Sequence, residues 1–148
     1  KRLELLTSGK TSFLFKDFAH APSKVMATTQ AVKEQFPDFK LVACLELHTY
    51  SSLDPSFLVH YQNSLEKADL PIVFYDPEAL KIKNRTHIQS QEIIDALGHP
   101  ELIVFTDPQL LKVFLMEQNY HNSVLLMMSS GNYGGLDWEE LNAKIAHF

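Results

Sequence analysis

Residues Phe39–Leu47 read FKLVACLEL, an almost unbroken apolar run. A strand covered on both faces of a parallel sheet has this composition, whereas a strand with one face in water alternates apolar and polar residues. Comparable runs recur at Pro71–Tyr75, Leu102–Thr106 and Ser123–Ser129. We therefore predict a mostly parallel sheet that contains these four segments.

The segments between these runs carry apolar residues at helical spacing. Proline in a first turn, capping side chains and closing glycines mark their ends. Helices are predicted at Ser23–Phe36 after Pro22, at Ser56–Ala68, from a Ser90 cap through Leu97 to Gly98, from Asp107 and Pro108 to Gln118, and at Trp138–Phe148. Alternating strands and helices are typical of βαβ units with helices on both faces of the sheet.

Two short β-prone runs, Arg2–Leu6 and Thr11–Phe15, flank a turn that contains Gly9. This pattern predicts a hairpin whose second strand ends at Asp17. The complete prediction is an α/β fold, a Rossmann-like, mostly parallel sheet with helices on both faces and one antiparallel edge from the N-terminal hairpin. Because the chain has 148 residues and no repeat or long linker, we expect a single domain over residues 1–148.

The charges are spread along the chain and sum to −5, with no basic run, so we do not expect nucleic acid as a partner. The apolar stretches are too short to cross a bilayer, and the first residues do not show the basic and then apolar pattern of a signal sequence. We expect a soluble, cytoplasmic protein with no membrane partner. The one cysteine, Cys44, lies in a predicted buried strand and is expected to be a core residue.

Two apparent ligand motifs carry little weight. The segment Gly9-Lys10-Thr11 resembles the end of a Walker A loop, but Glu4 occupies the position of the first glycine and the segment precedes a strand instead of following one. The seven histidines show none of the spacings that hold a metal ion. We predict no protein-only metal site.

Polar segments follow three of the predicted strands, at Asp17–Pro22, Glu46–Ser52 and Ser129–Gly135. Ligands of open α/β sheets bind beyond the carboxyl ends of the strands, so these segments predict a polar cleft there. Asp17 could accept a hydrogen bond from a ribose or an amine, or anchor its own loop. His20 could donate to an anion or be structural.

The loop Gly131–Gly135 allows two interpretations. Its backbone N–H groups could receive a carboxylate or phosphate, helped by the N-terminus of the helix that follows. The glycines could instead serve a tight turn that requires positive φ.

Longer motifs carry a resemblance to a known family. Asp17–Pro22 reads DFAHAP and resembles the D-[YF]-[AG]-H-x-P signature that opens the C-terminal domain of Mur ligases. Leu47–Ser51 stands where the alanine-adding members have H-R-Y-S-R, and Lys1–Glu4 resembles the segment that links the central domain to the C-terminal one. Met128–Gly135 resembles the M-S-N-G-x-[FY]-G-G ending of the murein peptide ligases, which is therefore the closest branch.

The resemblance implies an ATP-dependent ligase. The family activates a carboxylate with ATP as an acyl phosphate, which an amine then attacks, and Mg²⁺ sits on the phosphates. The implied substrates are UDP-N-acetylmuramate and a murein tripeptide, as in peptidoglycan recycling. The resemblance implies that the family's N-terminal UDP-sugar domain and central ATPase domain lie outside residues 1–148. We therefore expect this part alone to be an inactive lid that needs those domains as partners.

The resemblance also implies roles for single residues. These are Asp17 and His20 at the catalytic centre, Lys16, Phe18, His48 and Tyr50 at the nucleotide and domain interface, and Ser130, Gly131, Asn132 and Tyr133 at the substrate. The sequence departs from the family at Thr49 and Ser52, which replace the two arginines of H-R-Y-S-R, and at Lys16, where many members have a second aspartate. These changes leave recognition of a substrate carboxylate unassigned.

Three other interpretations remain open. The chain could belong to an alanine-adding Mur ligase or to a relative of the folylpolyglutamate synthases. It could be a nucleotide or small-molecule binding module that grips a phosphorylated ligand with Gly131–Gly135 and performs no chemistry. It could also be an interaction domain, for which a contiguous exposed apolar patch is expected.

Overall fold

The computed structural model describes residues 3–49, 51–78 and 88–148. Its strands are β1 Glu4–Ser8, β2 Ser12–Asp17, β3 Lys40–Glu46, β4 Leu70–Phe74, β5 Ile103–Phe105 and β6 Ser123–Met128. Its helices include α1 Pro22–Gln35, α2 Ser90–Leu97, α3 Pro108–Glu117 and α4 Trp138–Ala146, with 3₁₀ turns at Ser51–Leu53 and Leu58–Tyr61. Within the described ranges, no helix is long and apolar enough to span a membrane.

The strands form one six-stranded sheet in the order β1-β2-β6-β3-β4-β5. The β1–β2 pair is antiparallel and the other pairs are parallel. Strand β6 lies at the centre, between β2 and β3, and all of its residues are buried. The predicted fold class, with one antiparallel edge from the hairpin, is therefore confirmed.

Helices cover both faces of the sheet because the buried strands are apolar on both sides. In β3, Leu41, Ala43 and Leu45 enter one core cluster, whereas Val42 and Cys44 enter the other. The first cluster packs on α1, α2 and the Leu58–Tyr61 turn, and the second on α3 and α4. The continuous apolar runs of the sequence are explained by this two-sided burial.

Most predicted helix ends are confirmed, with one correction. The Asp107 carboxylate accepts a 2.9 Å hydrogen bond from the Gln109 N–H and caps α3, and Gly98 ends α2 with φ of 72°. Ser90 was predicted to cap α2, but the cap is Gln89, whose N–H donates to the Glu92 carboxylate at 2.8 Å and whose carbonyl accepts from the Glu92 N–H at 3.0 Å. These reciprocal bonds satisfy the N–H groups of both residues, so the helix begins directly after Gln89.

The prediction of an α-helix over Ser56–Ala68 is wrong. The apolar stripe is real, since Leu58 and Leu65 are buried, but the backbone forms a 3₁₀ turn followed by further turns. Asn63 has φ of 63°, which interrupts helical geometry, and its N–H donates to the Leu97 carbonyl at the end of α2. A hydrogen bond to a distant segment thus replaces one within the helix.

The turn of the hairpin docks on the C-terminus of α4. The Ser12 hydroxyl donates to the Ile145 carbonyl at 2.7 Å, and the Thr11 N–H donates to the Phe148 carbonyl at 2.9 Å. A Cβ atom on Gly9 would lie 2.7 Å from the Ile145 carbonyl oxygen. The glycine therefore serves close packing, and the segment has no feature of a phosphate loop.

Candidate functional site

Three strand ends meet at one edge of the sheet and carry the polar side chains of the site. In the register of the sheet, Asp17 of β2 and Leu45 of β3 both lie beside Met128 of β6. The residues that follow, among them Glu46 and Ser129, are therefore neighbours across three strands. The predicted polar cleft at the carboxyl ends of the strands is formed there.

Asp17 is both a loop anchor and part of the cleft wall. Its carboxylate, 8% exposed, accepts hydrogen bonds from the Ala19 N–H at 2.9 Å and from the Thr28 hydroxyl at 3.3 Å. Its backbone carbonyl accepts a 3.0 Å bond from the Ser129 N–H, which joins the loops after β2 and β6. The two interpretations of Asp17 from the sequence are thus compatible.

Two clefts open on either side of Phe18, and Asp17 contributes to both. The first, about 430 Å³, is lined by Leu3, Asp17, Phe18, Ala19, His20, Lys24 and Thr28. The second, about 310 Å³, is lined by Glu4, Lys16, Asp17, Phe18, Ser129, Ser130 and Gly131. The two linings together contain six of the ten residues named for the site. A seventh, His48, lies beside Gly131, so seven of the ten lie in one region.

Aromatic contacts position Lys16, Phe18 and His20, which line these clefts. The Phe18 ring, 43% exposed, meets the His20 ring edge-on at 5.3 Å between centroids. A ring nitrogen of His20 donates to the Phe18 carbonyl at 3.0 Å. The Lys16 ammonium lies 4.9 Å from the centre of the Trp138 ring, a cation–π distance. Lys16 also lines the second cleft, together with the acidic residues Glu4 and Asp17.

A buried carboxylate that the sequence did not single out organises the loop after β6. Glu46 is 2% exposed, and its Oε1 atom accepts hydrogen bonds from the Ser129 hydroxyl at 2.5 Å and the Tyr133 N–H at 2.9 Å. The Ser129 oxygen in turn accepts from the Gly131 N–H at 2.7 Å. An acid within the apolar run of β3 was the available signal, since buried acids need partners.

Tyr133, expected at the substrate, has its ring in the core beneath the loop. Its hydroxyl lies within hydrogen-bond distance of the Cys44 and Met128 carbonyls, at 2.8 and 2.7 Å, and its side chain is 1% exposed. Burial, together with the neighbouring Cys44 and Glu46, raises the pKa of this phenol well above its ordinary value. In this arrangement the Tyr133 ring supports the loop from the core.

Cys44 is fully buried in β3, and burial followed by the charge of Glu46 raises the pKa of its thiol. It is therefore the core residue that the sequence predicted.

The glycine loop has the geometry of a tight turn. Gly134 and Gly135 have φ of 69° and 92°, and a Cβ atom on Gly131 would lie 2.8 Å from the His48 ring. The N–H groups of Gly131, Tyr133 and Gly135 donate to Ser129, to Glu46 and to the Asn132 carbonyl within the loop. These donors are therefore engaged internally, which favours the tight turn over a phosphate cradle.

The remaining site residues lie around this loop. His48 is half exposed, and its Nδ1 atom is 3.6 Å from Glu46 Oε2. Asn132 is exposed at the tip of the loop. Thr49 and Ser52, which replace the arginines, are hydrogen-bonded to each other at 3.0 Å and close a turn. Tyr50 lies outside the described residues. In the described part of the chain, no group of three or more His, Cys, Asp or Glu residues could hold a metal ion.

No family model matches the chain, but the curated proteins similar to it include ligases. A UDP-N-acetylmuramate–L-alanine ligase of Agathobacter rectalis is 31% identical over 121 residues, covering 80% of this chain and 26% of the ligase. The ligase of the same name from Pediococcus pentosaceus is 29% identical over 121 residues, with 82% and 26% covered. The chain thus spans about a quarter of the length of these relatives.

Solved structures share the fold. A domain of a UDP-N-acetylmuramate:L-alanyl-gamma-D-glutamyl-meso-diaminopimelate ligase from Haemophilus ducreyi matches with a TM-score of 0.66 at 24% identity, covering 97% of this chain and 99% of that domain. A murein peptide ligase from Psychrobacter arcticus matches with a TM-score of 0.72 at 18% identity, covering 98% of this chain and 30% of that one. At these identities the likeness establishes the fold.

Proposed function

Because the chain belongs to the Mur ligase family and has the fold of the C-terminal domain of these enzymes, we propose that it is the lid and substrate domain of a murein peptide ligase. The proposed reaction joins a murein tripeptide to UDP-N-acetylmuramate at the expense of ATP. The observation that supports this branch is the Met128–Gly135 segment, which lines the second cleft in its Ser129–Gly131 part. The proposed location is the cytoplasm.

We assign the two clefts to different substrates. The first cleft, with Asp17, Phe18 and His20, would face the nucleotide. The second cleft would receive the tripeptide, with Lys16, Ser130 and Gly131 in its wall and Asn132 at its rim. ATP would supply the phosphoryl group that activates the carboxylate, with Mg²⁺ on its phosphates.

In this proposal both clefts are open because the lid has no central domain to close on in the 148-residue chain. Most contacts to ATP and Mg²⁺ would then come from the family's central domain, which would lie outside these 148 residues. The 148-residue chain alone would therefore be inactive. Phe18 is a large apolar side chain that stays exposed between the clefts, and docking on the central domain would bury it.

Phosphate release by the full-length protein tests the proposal. With ATP, Mg²⁺ and UDP-N-acetylmuramate, we expect release that depends on the murein tripeptide and not on L-alanine. Asp17→Asn should lower this rate by about a hundredfold if Asp17 touches the reacting groups. The exposed Asp38→Asn variant is the matched control.

The alternative acceptor is L-alanine, which is favoured by the names of the two curated relatives. Release with L-alanine alone would assign the chain to an alanine-adding ligase. Release with neither acceptor would reject both ligases in favour of a non-catalytic binding module. In that case calorimetry on the 148-residue chain should detect nucleotide binding, whereas a ligase lid should bind it only weakly.

A further inference from the structure

We infer that Glu46 is a positioning residue for the loop of residues 129–133. Its carboxylate holds the wall of the second cleft in the shape that receives the amine-bearing substrate. The geometric part of this inference depends only on the structure, and its consequence for the substrate rests on the proposed function.

The burial of Glu46 requires a structural reason. A glutamate that is 2% exposed loses nearly all its hydration, which hydrogen bonds to its carboxyl oxygens must replace. Oε1 accepts from both Ser129 and Tyr133, and Oε2 faces His48 at 3.6 Å. Both donors, the Ser129 hydroxyl and the Tyr133 N–H, belong to the loop after β6. The carboxylate at the end of β3 thereby ties this loop to the neighbouring strand.

The Ser129 hydroxyl extends this tie further along the loop. It donates to Glu46 and accepts from the Gly131 N–H, so a single carboxylate fixes the loop at residues 129, 131 and 133. Tyr133 has φ of 57°, in the left-handed region that non-glycine residues rarely adopt. A residue keeps this backbone conformation only when its surroundings stabilise it. The hydrogen bond from the Tyr133 N–H to Glu46 provides such stabilisation at this residue.

Ser130 lies between the fixed residues and is the group that this arrangement presents to a ligand. It lines the second cleft, and its hydroxyl oxygen is buried without a hydrogen-bond partner among the described residues. Buried hydroxyls normally have a partner, which a water molecule or a ligand group in the cleft would supply. The position of this hydroxyl depends on Ser129 and Gly131, and through them on Glu46.

Steady-state kinetics of the full-length protein tests the consequence for the substrate. Glu46→Ala should raise KM for the acceptor about tenfold or more, as expected for loss of buried hydrogen bonds, and leave KM for ATP within about twofold. Glu46→Gln keeps an oxygen acceptor and should recover most of the difference. The exposed Glu34→Ala and Glu34→Gln variants are matched controls. An unchanged acceptor KM in folded Glu46→Ala, or an equal rise in both KM values, would overturn the inference.

Amide hydrogen exchange of the 148-residue chain tests the geometry without any reaction. The Gly131 and Tyr133 amides should exchange at least about tenfold faster in Glu46→Ala, while the Cys44 amide in β3 stays protected. Unchanged exchange at both loop amides would refute the role of Glu46. If these amides respond as expected but the wild-type protein releases no phosphate with either acceptor, the proposed function fails and the positioning role stands.

Discussion

At the scale of single residues, the turn before β2 has no room for a side chain at Gly9. Gly9 approaches both Ser12 and the end of α4, and a Cβ atom there would lie 2.6 Å from the Ser12 oxygen. The Ser12 hydroxyl donates to the Ile145 carbonyl, so it cannot move away without losing that hydrogen bond. The hairpin and α4 are therefore coupled through a position with no room for a side chain.

We expect Gly9→Ala to lower the free energy of unfolding by about 1–3 kcal/mol, the usual cost of overpacking. Urea unfolding of the 148-residue chain measures this, with the adjacent exposed Ser8→Ala as control. A loss in Gly9→Ala no larger than that in Ser8→Ala would contradict the close packing of the turn against α4.

Single residues also show where sequence reasoning stops. Asp17 and His20 were identified because a motif of several residues surrounds them. Glu46 begins the polar segment Glu46–Ser52, but its role cannot be predicted from the sequence. Its partners Ser129 and Tyr133 lie more than 80 positions away in the chain. Its hydrogen bonds depend on β6 pairing with β3, which no local pattern predicts.

At the scale of elements, an aspartate before β4 joins that strand to α1 and β3. Asp69 Oδ2 accepts from the Lys33 ammonium at 2.9 Å and from the Leu41 N–H at 2.7 Å. Burial alone would raise the pKa of Asp69, but the Leu41 N–H and the charge of Lys33 outweigh it and the pKa is lowered. The ionised form is therefore the one that the folded state favours.

The pH dependence of Asp69→Asn follows from the sign of this shift. A lowered pKa contributes stability that is fully present above the unfolded value, about 4, and is lost as the pH falls through the folded value. We expect Asp69→Asn to be less stable than wild type at pH 7, with the difference shrinking once the pH falls below about 4. Urea unfolding at a series of pH values measures it, with Asp38→Asn as control. A constant difference would contradict the role of the charge.

Elements were predicted well where one residue pattern determines them. The apolar runs identified β3, β4 and β6 because two-sided burial removes polar alternation. They also identified the edge strand β5, which is only partly buried. The segment 56–68 was predicted as an α-helix because its apolar stripe has helical spacing. Its actual backbone is determined by the Asn63 bond to Leu97, which joins segments far apart in the sequence. Spacing alone therefore identified the buried face and not the type of turn.

At the scale of the whole molecule, the site results from strand order. The insertion of β6 between β2 and β3 places the loops after Asp17, Glu46 and Met128 side by side. Helical connections and a parallel sheet were predictable from the sequence, but this order depends on pairing between residues more than 100 positions apart in β2 and β6. The clefts on either side of Phe18 are thus a property of topology.

Phe18 is the side chain through which we expect this molecule to meet the rest of a ligase. It is exposed beside the catalytic candidates, where burial on closure would exclude water and complete the site. In the full-length protein, Phe18→Ala should reduce kcat/KM by about tenfold or more, which corresponds to loss of a buried aromatic contact.

The matched control for Phe18→Ala is Val59→Ala, because Val59 is also apolar and, at 61%, even more exposed, but lines neither cleft. Unfolding of the 148-residue chain should be nearly unchanged by either substitution, since both side chains are exposed in it. The two variants should therefore differ in turnover and agree in stability. Equal turnover would show that exposure of Phe18 serves no docking, and a large loss of stability in Phe18→Ala would assign its ring to the packing of the loop around His20.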